Sequence, residues 1–365
     1  MTTPLENDYA LWREALEELA RAPGTVVLLG DTDTGKTTFT RLLIRYWTEA
    51  GYRVGVLDAD IGQSEIGPPT CIGLAYTQTP VLALSDLSPH ALAFVGSASP
   101  RGHTLEYVCA LHRLYRQAVR EQPGSPLIVD TPGYIHGRGA LRLHQACLEL
   151  LGPCTIVALQ RNSELEPVLA PFRHYTGYHI FAPPIPDVLS RKPPAYRAQR
   201  RVMRFAAYLQ NARMHTYSFD AVACCGLWLG SGTPLAAHQL AFVRQVLAPQ
   251  IRVYYAELCG QQLGLMVGSP VSPQLPALSI VQKELHAQSF CITTAPQLHH
   301  LLIGLESSSG KLLGIGCLEA LDFRRRTLGI VTPVRAPAAA CILRFGSLRV
   351  RPDGTEVGTA RLSEF

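Results

Sequence analysis

The segment Gly30-Asp-Thr-Asp-Thr-Gly35-Lys36-Thr37 matches the pattern G-x-x-x-x-G-K-[ST] in full. It follows the apolar run Thr25-Val-Val-Leu-Leu29, which predicts a buried strand, and residues 36–50 carry apolar side chains at helical spacing. Between a strand and a helix, such glycines let backbone N–H groups surround phosphate oxygens at the positive end of the helix. A chance glycine-rich turn is the alternative, but the flanking strand and helix favour a phosphate-binding loop.

The side chains of this loop predict its ligands. The Lys36 ammonium is suited to bridge the β- and γ-phosphates of ATP, and the Thr37 hydroxyl is suited to bind Mg²⁺. ATP and Mg²⁺ are therefore the predicted cofactors. We expect the nucleotide to contact the whole loop and the start of its helix, namely Gly30, Asp31, Thr32, Asp33, Thr34, Gly35, Lys36, Thr37 and Thr38.

Strand and helix patterns alternate over the first 215 residues. Further strands are predicted at 53–57, 91–95, 126–129 and 155–159, and further helices at 104–120 and 140–151. This alternation predicts an α/β fold, a P-loop NTPase with a mainly parallel sheet flanked by helices. The helix at 104–120 is expected to bury one stripe, formed by Leu105, Val108, Cys109, His112, Tyr115 and Val119.

Residues 216–365 show little helical periodicity. Leu301, Ile303 and Leu305 alternate with other residues, as in a strand. More strands are predicted at 312–317, 328–331, 341–345 and 348–351, turns at 307–310 and 352–354, and a helix near 236–247. We therefore predict two domains, a P-loop domain of residues 1–215 and a smaller β-rich C-terminal domain of residues 216–365.

Two carboxylates follow the second predicted strand, in Asp58-Ala-Asp60-Ile-Gly-Gln63. In such sheets the ends of parallel strands lie beside the phosphate loop. A carboxylate there can hold a metal-bound water or take the proton of an attacking hydroxyl. Ordinary turn and cap chemistry is the alternative. The position favours a functional role, and we prefer Asp60 because Gln63 lies one turn further on.

Two more polar segments follow predicted strands and point to the same edge. In Asp130-Thr-Pro-Gly-Tyr134 a main-chain amide can face the γ-phosphate, although a helix N-cap at the start of the segment is the alternative. The segment from Gly96 to His103 carries small hydroxyl groups and a histidine that suit a polar acceptor, although lone histidines are mostly structural. The predicted acceptor contacts are Ser97, Ser99, His103, Thr131, Gly133 and Tyr134.

A basic block lies between Val188 and Phe219, where acidic residues are absent. Its seven positive side chains are Arg191, Lys192, Arg197, Arg200, Arg201, Arg204 and Arg213. The net charge of the whole chain is only +5, so the positive charge is local. A local excess of this kind favours an anionic ligand, with a solvated helix face as the alternative. We expect these charges to repel one another when no ligand is bound.

Composition limits the class of protein. The chain has 365 residues, of which 47% are apolar and 17% charged, which excludes disorder as its main state. The acidic start predicts no signal peptide, and the uncharged runs are too interrupted for a membrane span. The ten cysteines form no C-x-x-C pair, which favours reduced thiols without disulfide partners over a zinc ribbon. We expect a cytoplasmic protein.

Taken together, these motifs resemble the polynucleotide 5′-hydroxyl kinase family. The resemblance covers about residues 25–210 and rests on the phosphate loop, Asp60-x-x-Gln63, Gly96-Ser-x-Ser-Pro100, Thr131-x-Gly133 and the arginine-rich segment at about 188–210. It implies that Asp60 and Gln63 serve the metal ion and the incoming hydroxyl. It also implies that the basic segment is a lid. The lid arginines of the family correspond to Arg197 and Arg201, although Arg200 and Arg204 fit the same spacing. Tyr134 corresponds to a position at which relatives stack an aromatic ring on the terminal nucleotide.

The leading functional hypothesis is transfer of the ATP γ-phosphate to the 5′-hydroxyl of RNA or DNA. We assign catalysis to Lys36, Asp60 and the lid arginines Arg197, Arg200 and Arg201, and nucleic-acid contact to Arg204. Two alternatives remain, a catalytically silent ATP-binding subunit and a small-molecule kinase. The chain has no Asn-Lys-x-Asp motif, so the usual guanine-recognition element of GTPases is absent.

Overall fold

The structure is a computed structural model that describes residues 10–248, 250–272 and 274–362. The chain divides into two compact units, of which the first ends at Arg204 and the second begins at Phe205. This division falls inside a helix, whereas the predicted domain boundary at residue 215 lies beyond the end of that helix.

The first unit is built on a seven-stranded sheet. Its strands are β1 (Thr25–Gly30), β2 (Val54–Asp58), β3 (Cys71–Thr77), β4 (Ala91–Phe94), β5 (Leu127–Asp130), β6 (Thr155–Leu159) and β7 (His179–Phe181). Their order is β4-β3-β2-β5-β1-β6-β7, and β3 is antiparallel to both of its neighbours. The other four neighbouring pairs, β2-β5, β5-β1, β1-β6 and β6-β7, are parallel. The predicted α/β fold with a mainly parallel sheet is confirmed.

Helices cover both faces of this sheet. The helices of the first unit are α1 (Arg13–Arg21), α2 (Lys36–Glu49), α3 (Thr104–Glu121), α4 (Arg138–Leu151) and α5 (Glu166–Leu169), with short 3-10 helices at Ala10–Trp12, Leu84–Asp86 and Pro171–Arg173. The helix α6 (Pro194–Leu209) begins in the first unit and ends in the second. Phe39, Leu43 and Trp47 of α2 pack on one face in a fully buried cluster. Leu111 of α3 and Leu143 of α4 belong to the cluster on the other face. Two apolar layers therefore hold the phosphate-loop edge in place.

The prediction for the buried stripe of α3 was wrong. Of the six residues expected to be buried, Leu105, Cys109 and Val119 are exposed, and Val108, His112 and Tyr115 are only half-buried. The buried positions are Tyr107, Ala110, Leu111, Leu114 and Ala118. Both sets repeat at helical spacing, but the small alanine side chains let the helix approach the sheet closely. The sequence pattern alone favoured the stripe with the bulkier residues.

The second unit is β-rich, as predicted. Its strands are β8 (Arg213–Ser218), β9 (Ala223–Cys225), β10 (Thr233–Pro234), β11 (Val253–Cys259), β12 (Gln262–Val267), β13 (Ser289–Thr294), β14 (Leu301–Glu306), β15 (Leu312–Asp322), β16 (Thr327–Thr332), β17 (Ile342–Val350) and β18 (Glu356–Thr359). One sheet has the order β10-β11-β12-β13, and the other has the order β18-β17-β14-β15-β16-β8 with β9 beside β17. The helices are α7 (Ala237–Leu247), α8 (Pro276–Glu284) and α9 (Ala295–Leu298), with a 3-10 helix at Pro337–Ala339.

Two further sequence expectations concern membranes and cysteines. Within residues 10–248, 250–272 and 274–362, every helix is too short or too polar to cross a membrane. All ten cysteines lie in these ranges and are free thiols. Five of them are buried, and Cys109 is exposed.

Candidate functional site

The carboxyl ends of β1, β2, β4 and β5 point to one edge of the first sheet, because these strands run in the same direction. The polar segments predicted from the sequence follow these four strands. Two of them, the phosphate loop and the segment with Asp60 and Gln63, line a cleft of about 270 Å³, whereas the segments after β4 and β5, which the structure describes in full, contribute no residue to its lining. Its lining includes Thr32, Asp33, Gly35, Lys36, Thr37, Thr38, Asp60, Gln63, Arg197 and Arg200. The phosphate loop, the Asp60–Gln63 pair and two lid arginines are thus brought together.

The phosphate loop is held closed around its own lysine. Gly35 has φ +92°, a conformation that favours glycine, and a Cβ there would lie 2.7 Å from the ring of Trp12. The Lys36 ammonium donates to the carbonyl oxygens of Gly30 at 2.9 Å and Asp31 at 2.8 Å. Burial lowers the pKa of Lys36, and the nearby carboxylates, Asp130 first among them, oppose that shift. The ammonium is therefore fixed at the N-terminus of α2.

Asp130 pairs with the phosphate loop at the end of β5. The Thr37 hydroxyl donates to Asp130 Oδ2 at 2.8 Å, while the buried Oδ1 has no hydrogen-bond partner among the described residues. Burial raises the pKa of Asp130 to about 7, and the charge of Lys36 opposes this shift.

Our sequence interpretation left Asp130 out of the metal ligands. The signal that could have found it is Leu127-Ile-Val-Asp130, an apolar strand that ends in a carboxylate beside the loop.

These oxygen atoms suit Mg²⁺. An unpartnered buried carboxylate oxygen is costly unless a cation or a proton satisfies it. Asp130 Oδ1, the Thr37 hydroxyl and the carboxylate of Asp60 are hard oxygen donors, the kind that Mg²⁺ prefers. The residues present therefore fit the metal ion implied by the phosphate loop.

Asp58 and Asp60 have different roles although they are two residues apart. Asp58 is buried, and its Oδ2 accepts hydrogen bonds from the backbone N–H groups of Glu65 and Ile66, which holds the segment after β2 in place. Asp60 is only partly buried, and its Oδ1 accepts from the N–H groups of Gly62 at 3.0 Å and Gln63 at 3.1 Å. Burial raises the pKa of Asp60, and the Lys36 charge opposes this shift. Asp60 is one of the residues that line the cleft.

Gln63 connects this carboxylate segment to the lid. Its side-chain Nε2 donates to the carbonyl oxygen of Gly62 at 2.7 Å and to that of Arg197, at the start of α6, at 3.2 Å. The side-chain Oε1 is then the atom that can serve a metal ion or its water. Gln63 is thus both a candidate metal ligand and a contact between the catalytic edge and the lid helix.

The expectation that the basic block is unopposed was wrong. Arg197 pairs with Asp33 at 3.1 Å, Arg200 with Glu65 at 3.0 Å, and Arg191 with Asp31 at 3.4 Å. The acidic partners come from positions 31 to 65, more than 130 residues earlier, so the local sequence does not reveal them. In the structure, carboxylates of the phosphate loop hold part of the lid.

The remaining lid arginines differ in their surroundings. Arg204 Nη2 donates to the carbonyl oxygens of Glu65 at 2.7 Å and Gly67 at 3.0 Å, which fixes the end of the carboxylate segment. Arg201 lies near enough to Asp60 that its charge lowers the pKa of that carboxyl. The charge of Arg201 thus acts on the candidate base.

The predicted acceptor residues on the loop after β4 are held in local turns. The Ser97 hydroxyl accepts from the N–H of Ser99 at 3.3 Å, and the Ser99 hydroxyl accepts from the N–H of Arg101 at 3.2 Å. His103 immediately precedes α3, and its carbonyl oxygen accepts from the N–H of Tyr107. A Cβ on Gly62 would lie 2.7 Å from the carbonyl oxygen of Ala98, so this loop lies directly against the Asp60 segment.

The predicted acceptor residues after β5 are placed less uniformly. Thr131 is buried, and its hydroxyl donates to the carbonyl oxygen of Leu28 inside the sheet. A Cβ on Gly133 would lie 2.6 Å from the backbone nitrogen of Thr32, so a glycine is needed for this close approach to the phosphate loop. Tyr134 is half-buried and packs against the core of the first unit.

Comparisons with known proteins find relatives that match nearly the whole chain. A family model described as mRNA cleavage and polyadenylation factor CLP1 P-loop matches residues 30–211. The polyribonucleotide 5′-hydroxyl-kinase of Pyrococcus horikoshii is 29% identical over 362 residues, which cover 98% of this chain and 94% of that protein. The protein of the same description from Pyrococcus abyssi is 28% identical over 360 residues, covering 98% and 96%. A solved Clp1p–Pcf11p complex matches with a TM-score of 0.59 at 15% identity, covering 94% of this chain and 79% of that one, a likeness of fold alone.

Proposed function

Because the chain belongs to the polynucleotide 5′-hydroxyl kinase family, we propose that it transfers the γ-phosphate of ATP to the 5′-hydroxyl end of RNA or DNA. One observation carries the proposal for this chain. Lys36, Thr37 and Asp60 line one cleft, and the Thr37 hydroxyl donates to Asp130, so the site has the parts that phosphoryl transfer requires.

Each of these residues has a role in the proposed reaction. Lys36 holds the β- and γ-phosphates of ATP. Asp60 takes the proton of the 5′-hydroxyl while the hydroxyl oxygen forms the new bond to the γ-phosphorus and the bond between that phosphorus and ADP breaks. Arg201, with Arg197 and Arg200, neutralises charge on the transferring group. Mg²⁺, when bound, neutralises charge on the phosphates. The residues that would hold it are Thr37, Asp130, Asp60 and Gln63.

The acceptor strand is assigned to the other edge of the cleft. The loop carrying Ser97, Ser99 and His103 lies against the Asp60 segment, and we propose that it contacts the terminal nucleotide. We propose that the backbone amide of Gly133 contacts the γ-phosphate and that the half-buried Tyr134 stacks on a base.

The two alternatives fit the site less well. A silent ATP-binding subunit does not need a carboxylate such as Asp60 in the lining of the cleft, aligned by two backbone amides. A small-molecule kinase is disfavoured because relatives that match nearly the whole chain are described as polyribonucleotide kinases. We further propose a cytoplasmic enzyme, and a kinase domain of residues 1–215 with its lid at about 188–210 followed by a C-terminal domain of residues 216–365.

Transfer of label from γ-labelled ATP to a 5′-hydroxyl oligonucleotide tests the proposal directly. We expect label on the 5′ end of the oligonucleotide, dependent on Mg²⁺, and none on a 5′-phosphorylated control strand. ATP binding without transfer would support the silent subunit. Transfer only to mononucleosides or other small alcohols would support the small-molecule kinase.

The Asp130 carboxylate is expected to couple Mg²⁺ binding to pH. Because burial raises the pKa of Asp130 to about 7, a proton competes with the metal ion below that pH. The Mg²⁺ concentration for half-maximal activity should therefore rise as the pH falls from 8 to 6. Asp130→Asn should remove most of this pH dependence and raise the Mg²⁺ requirement at least ~10-fold. The same Mg²⁺ titration curve at both pH values in the parent enzyme would contradict this role.

The lid is expected to exchange its protein partners for phosphates. Arg201→Ala should lower kcat by ~10² or more, a larger effect than on ATP affinity, because its charge is needed most during transfer.

Oligonucleotide affinity should fall with rising salt through counterion release. Hydrogen exchange over residues 191–209 should slow when ATP and oligonucleotide bind. Arg116→Ala, an exposed change on α3, is the control. Equal exchange in both states with salt-independent binding would leave an ordinary solvated helix.

A further inference from the structure

A second cluster of metal-ligating side chains lies in the second unit, on residues that the kinase site does not use. His299, His300 and Glu319 each offer one ligand atom, and these atoms lie within 4.8 Å of one another. His300 Nδ1 is 2.8 Å from Glu319 Oε1, and His299 Nε2 is 3.8 Å from Glu319 Oε2. We propose that the three residues form a binding site for Zn²⁺.

The backbone departs from regular geometry at the points that bring these side chains together. His299 and His300 lie in the turn between α9 and β14. His300 has φ +67°, a conformation that a non-glycine residue rarely adopts. Its N–H donates to the carbonyl oxygen of Leu318 at 2.8 Å, and its carbonyl oxygen accepts from the N–H of Val350 at 2.7 Å. Two neighbouring strands therefore hold this turn.

Glu319 lies at a second irregularity. The register of β15 against β16 shifts between Leu318 and Ala320, which leaves Glu319 as the extra residue of a bulge. A bulge redirects the side chain of its extra residue. In addition, the Arg349 guanidinium donates to the carbonyl oxygens of His299 at 2.9 Å and Pro296 at 3.3 Å, which fixes the backbone before the turn. The three ligands are thus preorganised by the fold.

The distances suit a tetrahedral ion. Metal–ligand bonds of 2.0–2.1 Å at tetrahedral angles place ligand atoms about 3.3 Å apart, between the two distances measured here. The side chains of His300 and Glu319 are 18% and 14% exposed, and that of His299 is 50% exposed. They border a cleft of about 620 Å³. Three protein ligands with solvent access leave a fourth position for water or for a ligand atom.

The donor set also indicates which metal ion binds. Two imidazoles and one carboxylate suit Zn²⁺ and its transition-metal neighbours, whereas Mg²⁺ prefers oxygen ligands throughout. This site is therefore chemically distinct from the one formed by Thr37 and Asp130. The alternative is a simple hydrogen-bonded His–Glu pair that binds no metal ion.

Zn²⁺ titration of the metal-free full-length chain by calorimetry, in excess Mg²⁺, tests the proposal. We expect one Zn²⁺ per chain at this site and a higher unfolding temperature with Zn²⁺ present. Glu319→Gln and His300→Asn should each weaken binding at least ~10²-fold, since even outer-shell losses cost 10- to 100-fold. Asparagine tolerates positive φ, so His300→Asn preserves the turn. His286→Asn is the matched control, an exposed histidine at φ +51° outside the cluster.

Two measurements separate binding at this cluster from binding at the free cysteines and from misfolding of a variant. Co²⁺ bound at this site should show no thiolate-to-metal charge-transfer band, whereas such a band would assign binding to the cysteines and overturn the proposal. His299→Ala, a change at the most exposed ligand, keeps the test valid if the other variants do not fold. Unchanged Zn²⁺ affinity in His299→Ala or Glu319→Gln would also overturn it. Zn²⁺ binding should be normal in Lys36→Ala, which separates this site from the kinase reaction.

Discussion

Replacing Lys36 with alanine is expected to abolish phosphoryl transfer, with a loss of ~10³-fold or more in kcat/KM. The Lys36 ammonium is fixed by two carbonyl oxygens at the start of α2, beside the carboxylates that surround the reacting phosphates. Lys192 also lines the cleft, but it is exposed, and neither it nor water supplies the same fixed charge. Steady-state label transfer to a 5′-hydroxyl oligonucleotide measures the loss.

The fold should survive this change, which makes the result specific. Alanine is a good helix former, and Lys36 is the first residue of α2. The circular dichroism spectrum should match that of the parent. Lys311→Ala, on an exposed turn of the second unit, removes the same charge elsewhere and should leave activity unchanged. Turnover near the parental value in Lys36→Ala would reject the proposed mechanism.

The phosphate-loop region was predictable because its constraints are local. The helix predicted at 36–50 is observed at Lys36–Glu49, and Gly51 after it has φ +89°, as a helix-ending glycine should. The strand predicted at 155–159 is observed with the same bounds. In these segments the apolar pattern, the turn residues and the burial all agree, so the sequence has one consistent interpretation.

Other strands were missed because tertiary packing determines them. Strand β3 contains Gly73 and follows Pro68-Pro69, features that weaken a strand pattern. In the structure Gly73 is needed because a Cβ there would collide with the carbonyl oxygen of Ile66, which belongs to the segment ordered by Asp58. The sequence around β3 does not encode that contact. Strands β11, β12 and β13 of the second unit were likewise not predicted.

The site was predictable as a set of segments but not as a set of partners. The strand-end rule gathered Asp60, Gln63 and the phosphate loop correctly at one edge. The pairing of Thr37 with Asp130 and of Arg197 with Asp33 joins residues more than 90 positions apart. Residue types and local spacing carry no information on such pairs, which follow only from the strand order.

Asp60→Asn is expected to lower kcat by ~10² or more while ATP binding persists, because the change removes the proton acceptor and preserves the shape. The two backbone amides that align Asp60 Oδ1 can also donate to an asparagine oxygen, so the loop should keep its conformation. Single-turnover transfer and equilibrium ATP binding, measured side by side, separate chemistry from affinity. Asp353→Asn, a change at an exposed turn residue of the second unit, is the matched control.

An unchanged kcat in Asp60→Asn would show that another carboxylate is the general base. Asp58 is the poorer candidate because the backbone amides of Glu65 and Ile66 already occupy its Oδ2, so the role would fall to Asp130.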